Sequence, residues 1–541
     1  MKDAIYSFPM PNNEPVFTYL EGSPERVALE KELERQKSIE LDIPLIIGGK
    51  EVRTGNTGKV VMPHDHHHVL ATYHKAGPKE VKMAIDAAMK ARKEWCETDW
   101  TVRASIMLKI AELISTKYRA LMSASLMLGQ SKNIYQAEID GVCELIDFLR
   151  YNAHFASEIY SFQPKSAKGQ INTVEYRALE GFVFALTPFN FTSIASNLNM
   201  SPVLMGNTTV WKPSTTAILS NYYLMQIYKE AGLPDGVVNF IPGQGSVIGK
   251  EIFASKYLAG VHFTGSSATF NTLWKQVGEN LDKYISYPRL VGETGGKDFI
   301  FVHPSADPKD VATAAFCGAF EYQGQKCSAA SRMYAPKSLW KDILAGIKAF
   351  AKEVKMGDVC DPQNFINAVI DETSFDNIAS YIKYAKESKD AKIVVGGKCD
   401  KKVGYFVEPT VIETTNPHFK SMEEEIFGPV LTVYVYDDKD VNKAVELCDT
   451  TSPYGLTGAV IGKDRMAVQK IADKLRYAAG NFYINDKPTG AVVGLQPFGG
   501  SRKSGTNDKA GGEFNLIRWA IPRAIKETLV PARGYKYSYM K

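Results

Sequence analysis

Cys327 lies in EYQGQKCSAASR. Small and polar neighbours leave its thiol accessible, and adjacent Lys326 favours the thiolate, the form that acts as a nucleophile. Taken alone, the same residue also fits a small buried hydrophobe, the setting that Cys317 has in TAAFCGAF. Glu293, in LVGETGGK, is an acid between an apolar strand and paired glycines. In a partly dry cleft its pKa rises and it can serve as a base; otherwise it is a solvated loop acid. Asn190, in TPFNFTS, follows a buried strand, where a fixed amide can donate to an oxyanion or cap the next helix.

Other residues suit a cofactor. Lys212 in VWKPS follows a strand and can reach ribose hydroxyls, or is a surface lysine before a turn. FTGSS, with Gly265 and Ser266, runs from strand to helix and would let backbone amides approach a pyrophosphate. Gly243, Gly245 and Gly249 form G-x-G-x-x-x-G, one residue longer than the usual dinucleotide fingerprint. EEEIFGPV, with Glu425 and Phe427, is either a site segment or a charged loop with Phe427 in the core. HDHHH at 64–68 has no cysteine or acidic cluster of matching spacing. It reads as a solvated loop, and no metal is expected.

These residues need elements to hold them. From Pro78 onward, Val81, Ile85, Ala88 and Trp95 recur at helical spacing. A second amphipathic helix runs through Ile106, Ile110 and Leu113, and residues 132–162 read as a third long helix carrying Glu144. Short apolar strands then alternate with helices: FVFALTPF, TTVWKP, VVNFIPG, GVHFTG and FIFVH. This is the rhythm of an open, mostly parallel sheet. A second series runs from about 307 to 497, with strands near IVVGG, LTVYVY and TGAVIG, and a hinge falls near 293–297. Residues 163–181 suggest a hairpin leaving the first domain, with 513–541 pairing against it, and 1–45 an arm packed on the surface.

Composition excludes several classes. At 541 residues the chain is too long for one core. The balance of 64 basic and 60 acidic residues is too even for nucleic acid or an anionic membrane as main partner. The most apolar region, 181–206, is broken by Pro188, Asn190, Asn197, Asn199 and Pro202, so no membrane span is expected. Seven scattered cysteines without a C-x-x-C pair fit a reducing compartment. The N-terminal residues lack the apolar core of a secretion signal and the Arg-rich pattern of a transit peptide. The expected location is the cytoplasm, or the mitochondrial matrix in a eukaryote.

The joint order of the motifs is specific. NF, WKPS, FTGS, E-x-GGK, GQ-x-C, EEIFGP and PFGG, in that sequence, resemble the aldehyde dehydrogenase superfamily over about residues 40–520. YPRLVGETGGKDFIFVH, KCDKKVGYFVEPT, AAGNFYINDKPTGAVVGLQPFGG and NEPVFTYLEGSPER resemble its subfamily that oxidises L-glutamate γ-semialdehyde. The resemblance implies an α/β fold: a Rossmann-like NAD-binding domain (46–162 and 182–294), a catalytic α/β domain (295–505) and a β-flap for oligomerisation (163–181 and 513–541), after an N-terminal arm (1–45).

The resemblance also implies NAD as cofactor and a division of labour. Cys327 is the nucleophile, Asn190 the oxyanion donor and Glu293 the base that hydrolyses a thioester. Lys212, Pro213, Ser214, Gly243, Gly265, Ser266, Glu425 and Phe427 hold the dinucleotide. Glu144 meets the substrate ammonium; Ser328, Gly490 and Ala491 meet its carboxylate; Phe191 and Phe498 sandwich its middle. NAD-preferring members often carry an acid three residues after the lysine; here Thr215 stands there, which leaves NADP tolerance open. The implied partners are a small-molecule substrate, further copies of the chain in a homodimer or larger assembly, and transiently a proline dehydrogenase. The alternatives are a dehydrogenase for another semialdehyde and a non-catalytic protein on the same fold.

Overall fold

The computed structural model describes residues 7–540. Residues 1–6 of the expected arm and Lys541 of the expected flap lie outside the described residues.

Runs such as FVFAL and TTVWK are apolar at both parities, as strands buried on both faces require. The first seven-stranded sheet has the order Arg289–Glu293, Leu258–Thr264, Phe182–Leu186, Thr208–Lys212, Val238–Phe240, Leu45–Ile47, Lys50–Val52. Its first five strands are parallel, and Leu45–Ile47 joins antiparallel. The chain order reverses between Phe182–Leu186 and Leu258–Thr264, which opens a crevice at the carboxyl ends there. Asn190, Lys212, Gly243, Gly265, Ser266 and Glu293 all sit at or just past those ends.

The second seven-stranded sheet has the order Ala391–Val395, Thr410–Thr414, Val430–Tyr436, Ala330–Pro336, Asp298–Val302, Thr457–Ile461, Asn481–Ile484. Only the edge strand Ala391–Val395 is antiparallel. The chain leaves the first sheet at Glu293 and enters the second at Asp298. The carboxyl ends of one sheet therefore face the amino ends of the other. Cys327 and Glu425 both precede strands of the second sheet.

Several expectations need correction. FIFVH belongs to the second sheet, because the chain has already crossed the hinge when it begins. Segment 163–181 is not a hairpin: it contributes one strand, Gln170–Ala178, whose partner is Ala520–Thr528 in antiparallel register from Ala178↔Ala520 to Gln170↔Thr528. The third long helix is interrupted. Asn133 caps its start in a reciprocal box with Gln136, a π-helical turn spans Ala137–Cys143, and the regular helix is Glu144–Ser161. The histidine cluster is no solvated loop. Strand Asp65–His74 takes up all but His64, pairing with Thr57–Met62 and Leu41–Ile43, and His64 itself is buried. Among the described residues no group of three or more His, Cys, Asp or Glu is placed to hold a metal ion. Nor is any helix long and apolar enough to cross a membrane.

The N-terminal helix Pro24–Lys37 starts at the Ser23 cap with Pro24 in its first turn and buries Leu29 and Leu33. The extended residues before it run across the helices that lead to Glu144.

Candidate active site

Glu293 ends its strand, and its neighbour Gly505 bridges it from the returning C-terminal segment. The paired glycines that follow admit two close approaches. A Cβ on Gly295 would lie 2.0 Å from a Glu425 carboxylate oxygen, and one on Gly296 would lie 2.5 Å from the Cys327 carbonyl oxygen. The Gly296 N–H donates to Glu425 Oε1 at 3.0 Å. Paired glycines thus let the acid of EEIFGP and the backbone of the cysteine turn converge on one spot.

The turn before Cys327 is held from below. Tyr322 and Gln323 have positive φ, a backbone state that costs about 1–3 kcal/mol unless its surroundings fix it. Tyr322 OH donates to the Gln130 carbonyl at 2.7 Å, and Gln323 Nε2 donates to Ser131 and Ala368 carbonyls at 3.0 Å each. Gln325 Oε1 accepts the Ile370 N–H at 2.9 Å. Asn190 Nδ2 donates to the Gln325 carbonyl at 3.1 Å, which leaves one amide N–H unspent.

Cys327 lies where two cavities meet. The larger, about 920 Å³ with its open mouth, is lined by Cys327, Glu293, Glu144, Phe191, Ser328, Gly490, Ala491 and Phe498. The smaller, about 290 Å³, is lined by Gly296, Asp298, Cys327, Glu425 and Phe427.

Burial disfavours the charged forms of the thiol and of the carboxyls around it. Burial pushes the Cys327 thiol well above its usual range, and the carboxylates of Asp298, Glu293, Glu425 and Glu144 add to that. Lys326 does not help the thiolate as its position in the sequence suggested. Its ammonium points away to Asp140 at 3.2 Å and Glu321 at 3.7 Å. Burial raises Glu293 to about 8, opposed by the nearby Lys509 ammonium, and its Oε2 has no partner among the described residues. Burial raises Glu425 to about 7, against the Gly296 N–H bond that lowers it.

Glu144 is not a surface helix acid. It faces the larger cavity, Ser193 Oγ donates to its Oε2 at 2.5 Å, and burial lifts its pKa to about 8, with Asp140 adding to the rise. Phe191 lies under the Lys132 ammonium, which is 4.6 Å from its ring centroid. Ser328 Oγ is 2.7 Å from Thr489 Oγ1 at the start of the loop that carries Gly490 and Ala491.

The crevice residues fit a dinucleotide. Burial lowers Lys212 to about 8, and its amino group has no partner among the described residues, so a hydroxyl-bearing ligand would satisfy it. Ser214 Oγ pairs with Thr216 Oγ1 at 3.2 Å, beyond Pro213. Gly243 has φ +156° and packs on Ala76. The Gly265 N–H is committed to the Glu293 carbonyl at 3.1 Å, so it is not free for phosphate. Ser266 caps helix Ser267–Glu279 by accepting the Thr269 N–H. Phe427 sits edge-on to Phe189 with ring centroids 5.8 Å apart.

Sequence reasoning missed Asp140 and Lys132. They form a buried pair at 3.0 Å, and Asp140 lines the larger cavity. Asp140 stands four residues before Glu144, the one available signal that it shares a face with it. His262 and Asn515, also in that cavity wall, carried none.

Comparison with known proteins gives consistent results. The aldehyde dehydrogenase family model matches residues 51–520. A Dictyostelium discoideum protein named Delta-1-pyrroline-5-carboxylate dehydrogenase, mitochondrial, is 50% identical over 537 residues, covering 99% of this chain and 96% of its own. The Homo sapiens protein of the same name is 48% identical over 98% of this chain and 94% of its own. The crystal structure of the Delta-pyrroline-5-carboxylate dehydrogenase from Mycobacterium tuberculosis bound with NAD superposes with a TM-score of 0.96 at 48% identity, over 100% of both chains.

Proposed function

The chain belongs to the aldehyde dehydrogenase family, and from that premise we propose that it oxidises L-glutamate γ-semialdehyde, the open form of Δ1-pyrroline-5-carboxylate, to L-glutamate with NAD, in proline breakdown. One observation carries this reading: Cys327 and Glu293 line a cavity that is also lined by the half-buried acid Glu144.

Cys327 Sγ gives up its proton to solvent water, and the thiolate attacks the aldehyde carbon. The remaining Asn190 amide N–H and the Cys327 backbone N–H receive the oxyanion of the thiohemiacetal; one such donor is worth about 3–4 kcal/mol. NAD, when bound, would supply the acceptor for the hydride of this tetrahedral carbon. Lys212 and Glu425 would hold its ribose hydroxyls, and Phe427 borders the smaller cavity. The product on Cys327 is a thioester. Glu293 takes a proton from water, the resulting hydroxide adds to the thioester carbon, and the thiolate leaves. Covalent capture thus divides one hard step into two.

Glu144 receives the substrate ammonium. The backbone of Gly490 and Ala491, with Ser328, meets the carboxylate, and Phe191 and Phe498 flank the aliphatic middle. The two-stranded Gln170–Ala178/Ala520–Thr528 ribbon extends from the body with an exposed face, which suits assembly of further copies. A proline dehydrogenase supplies the imine that hydrolyses to this substrate and is the expected transient partner. The compartment is the cytoplasm, or the mitochondrial matrix in a eukaryote.

The test is steady-state NADH formation with pyrroline-5-carboxylate, succinate semialdehyde and propanal. The highest kcat/KM is expected for pyrroline-5-carboxylate. A preference for succinate semialdehyde, which has no ammonium, would refute the assignment. Repeating the series with NADP reads out the effect of Thr215.

A further inference from the structure

The two walls that receive the amino-acid end of the substrate are joined by one side chain from the N-terminal segment. Asn13 Nδ2 donates to Asp147 Oδ2 at 2.8 Å and to the Val493 carbonyl at 2.8 Å. Its Oδ1 accepts from Tyr151 OH at 3.2 Å. Asp147 lies one turn beyond Glu144 on the same helix, and Val493 lies two residues after Ala491 on the loop. The amide therefore spans from the ammonium wall to the carboxylate wall. Helix and loop also touch directly there: a Cβ on Gly494 would lie 2.1 Å from the Tyr151 ring.

Asn13 is itself held from outside the cleft. The Glu14 N–H donates to Asp147 Oδ1 at 2.8 Å. The Glu14 carboxylate accepts from Ser115, Arg119 and Arg150, each at 2.6 Å. The Phe17 N–H and Tyr19 OH both reach Glu138, at 2.9 and 2.7 Å. Glu138 is fully buried inside the π-helical turn that leads to Glu144. Asp147, also buried, has no side-chain hydrogen-bond partner among the described residues other than Asn13 and the Glu14 N–H.

We propose that Asn13 is a positioning residue that fixes the gap between the Glu144 helix and the 489–493 loop, so that the segment around it forms part of the substrate-specificity apparatus. The proposal rests on the substrate reading given above. A ligand that spans both walls feels their spacing; an aldehyde too short to reach them does not. Fixing both ends of a binding site in advance removes an ordering cost from each binding event.

The test uses N13A and the near-isosteric N13D in the full chain. N13D keeps the volume and one oxygen but loses the donor, and turns a carboxylate toward Asp147. For both variants the KM for pyrroline-5-carboxylate is expected to rise about tenfold, with kcat and the kcat/KM for propanal within about twofold of wild type. Equal losses on both substrates would overturn the proposal, because a general structural role moves both. An unchanged KM for pyrroline-5-carboxylate in N13D would overturn it too, as would failure of both variants to fold. A wild type that fails to prefer pyrroline-5-carboxylate over propanal would overturn the substrate reading and this proposal with it, whereas a normal wild-type preference with unselective variants would overturn this proposal alone.

Discussion

If Glu144 receives the substrate ammonium, as proposed, it should set a pH dependence that belongs to substrate binding and not to chemistry. With its pKa raised by burial to about 8, the carboxyl is about ten parts protonated to one ionised at pH 7. An ammonium beside it favours the ionised form, so binding must expel the proton. The sign follows: affinity improves as pH rises toward 8 and levels off above it. The apparent KM scales as one plus the ratio of protonated to ionised Glu144. That factor is about 11 at pH 7 and about 1.3 at pH 8.5, an eightfold fall. Glu144→Gln keeps the hydrogen bond with Ser193 but has no charge to expose. Removing one partner of a buried pair costs about 3–5 kcal/mol. At pH 7 the proton on Glu144 already withholds about 1.4 kcal/mol of that. The remainder, about 1.6–3.6 kcal/mol, corresponds to a loss of about 15- to 400-fold in kcat/KM for pyrroline-5-carboxylate. The assay is NADH formation from pH 6.5 to 8.5 with both enzymes. Protonation of the substrate imine is common to the two, so the wild-type to variant ratio isolates Glu144. A ratio flat with pH, or an equal loss with propanal, would refute the reasoning.

Three further outcomes are expected. Cys327→Ala abolishes NADH formation while NAD binding, measured by calorimetric titration, stays within twofold; turnover within tenfold of wild type would remove Cys327 from the chemistry. Glu293→Gln gives a rapid NADH burst and then slow turnover, since it spares hydride loss and stalls thioester hydrolysis. With Glu293 raised to about 8, wild-type hydrolysis falls about tenfold per pH unit below 8, and a stopped-flow profile of the variant should lack that limb. Gly296→Ala forces a Cβ to within 2.5 Å of the Cys327 carbonyl oxygen and 2.4 Å of Asp298 Oδ2. It should cost about 1–3 kcal/mol of stability, read as a lower Tm in thermal melts.

The first half of the site was legible because of where its residues stand. A parallel strand buried on both faces is an unbroken apolar run, and a functional residue after it marks the crevice end. Asn190, Lys212, Ser266 and Glu293 all stand so. Cys327 and Glu425 stand before their strands, at the amino ends of the second sheet, where the rule for open sheets points nowhere. Their local sequence allowed a buried thiol and a charged loop as readily as a site, and the resemblance decided between those readings. Lys326 shows a second limit: adjacency along the chain said nothing about direction, and its ammonium turned toward Asp140.

The helix that carries Glu144 shows a third limit. A π turn inserts one residue, and one residue rotates everything beyond it by about 100°. Regular helical periodicity counted from 132 therefore does not carry across the turn to Glu144, whose place at the site came from the resemblance. The segment that braces this turn is more distant still: Asn13 meets Asp147 across 134 positions and Val493 across 480. Local patterns encode which groups end a strand or cap a helix. The spacing between two walls is set by contacts among parts of the chain that no local pattern relates. It is therefore the reactive groups of such a site that a sequence displays, and its substrate selectivity, which depends on that spacing, that only the folded chain reveals.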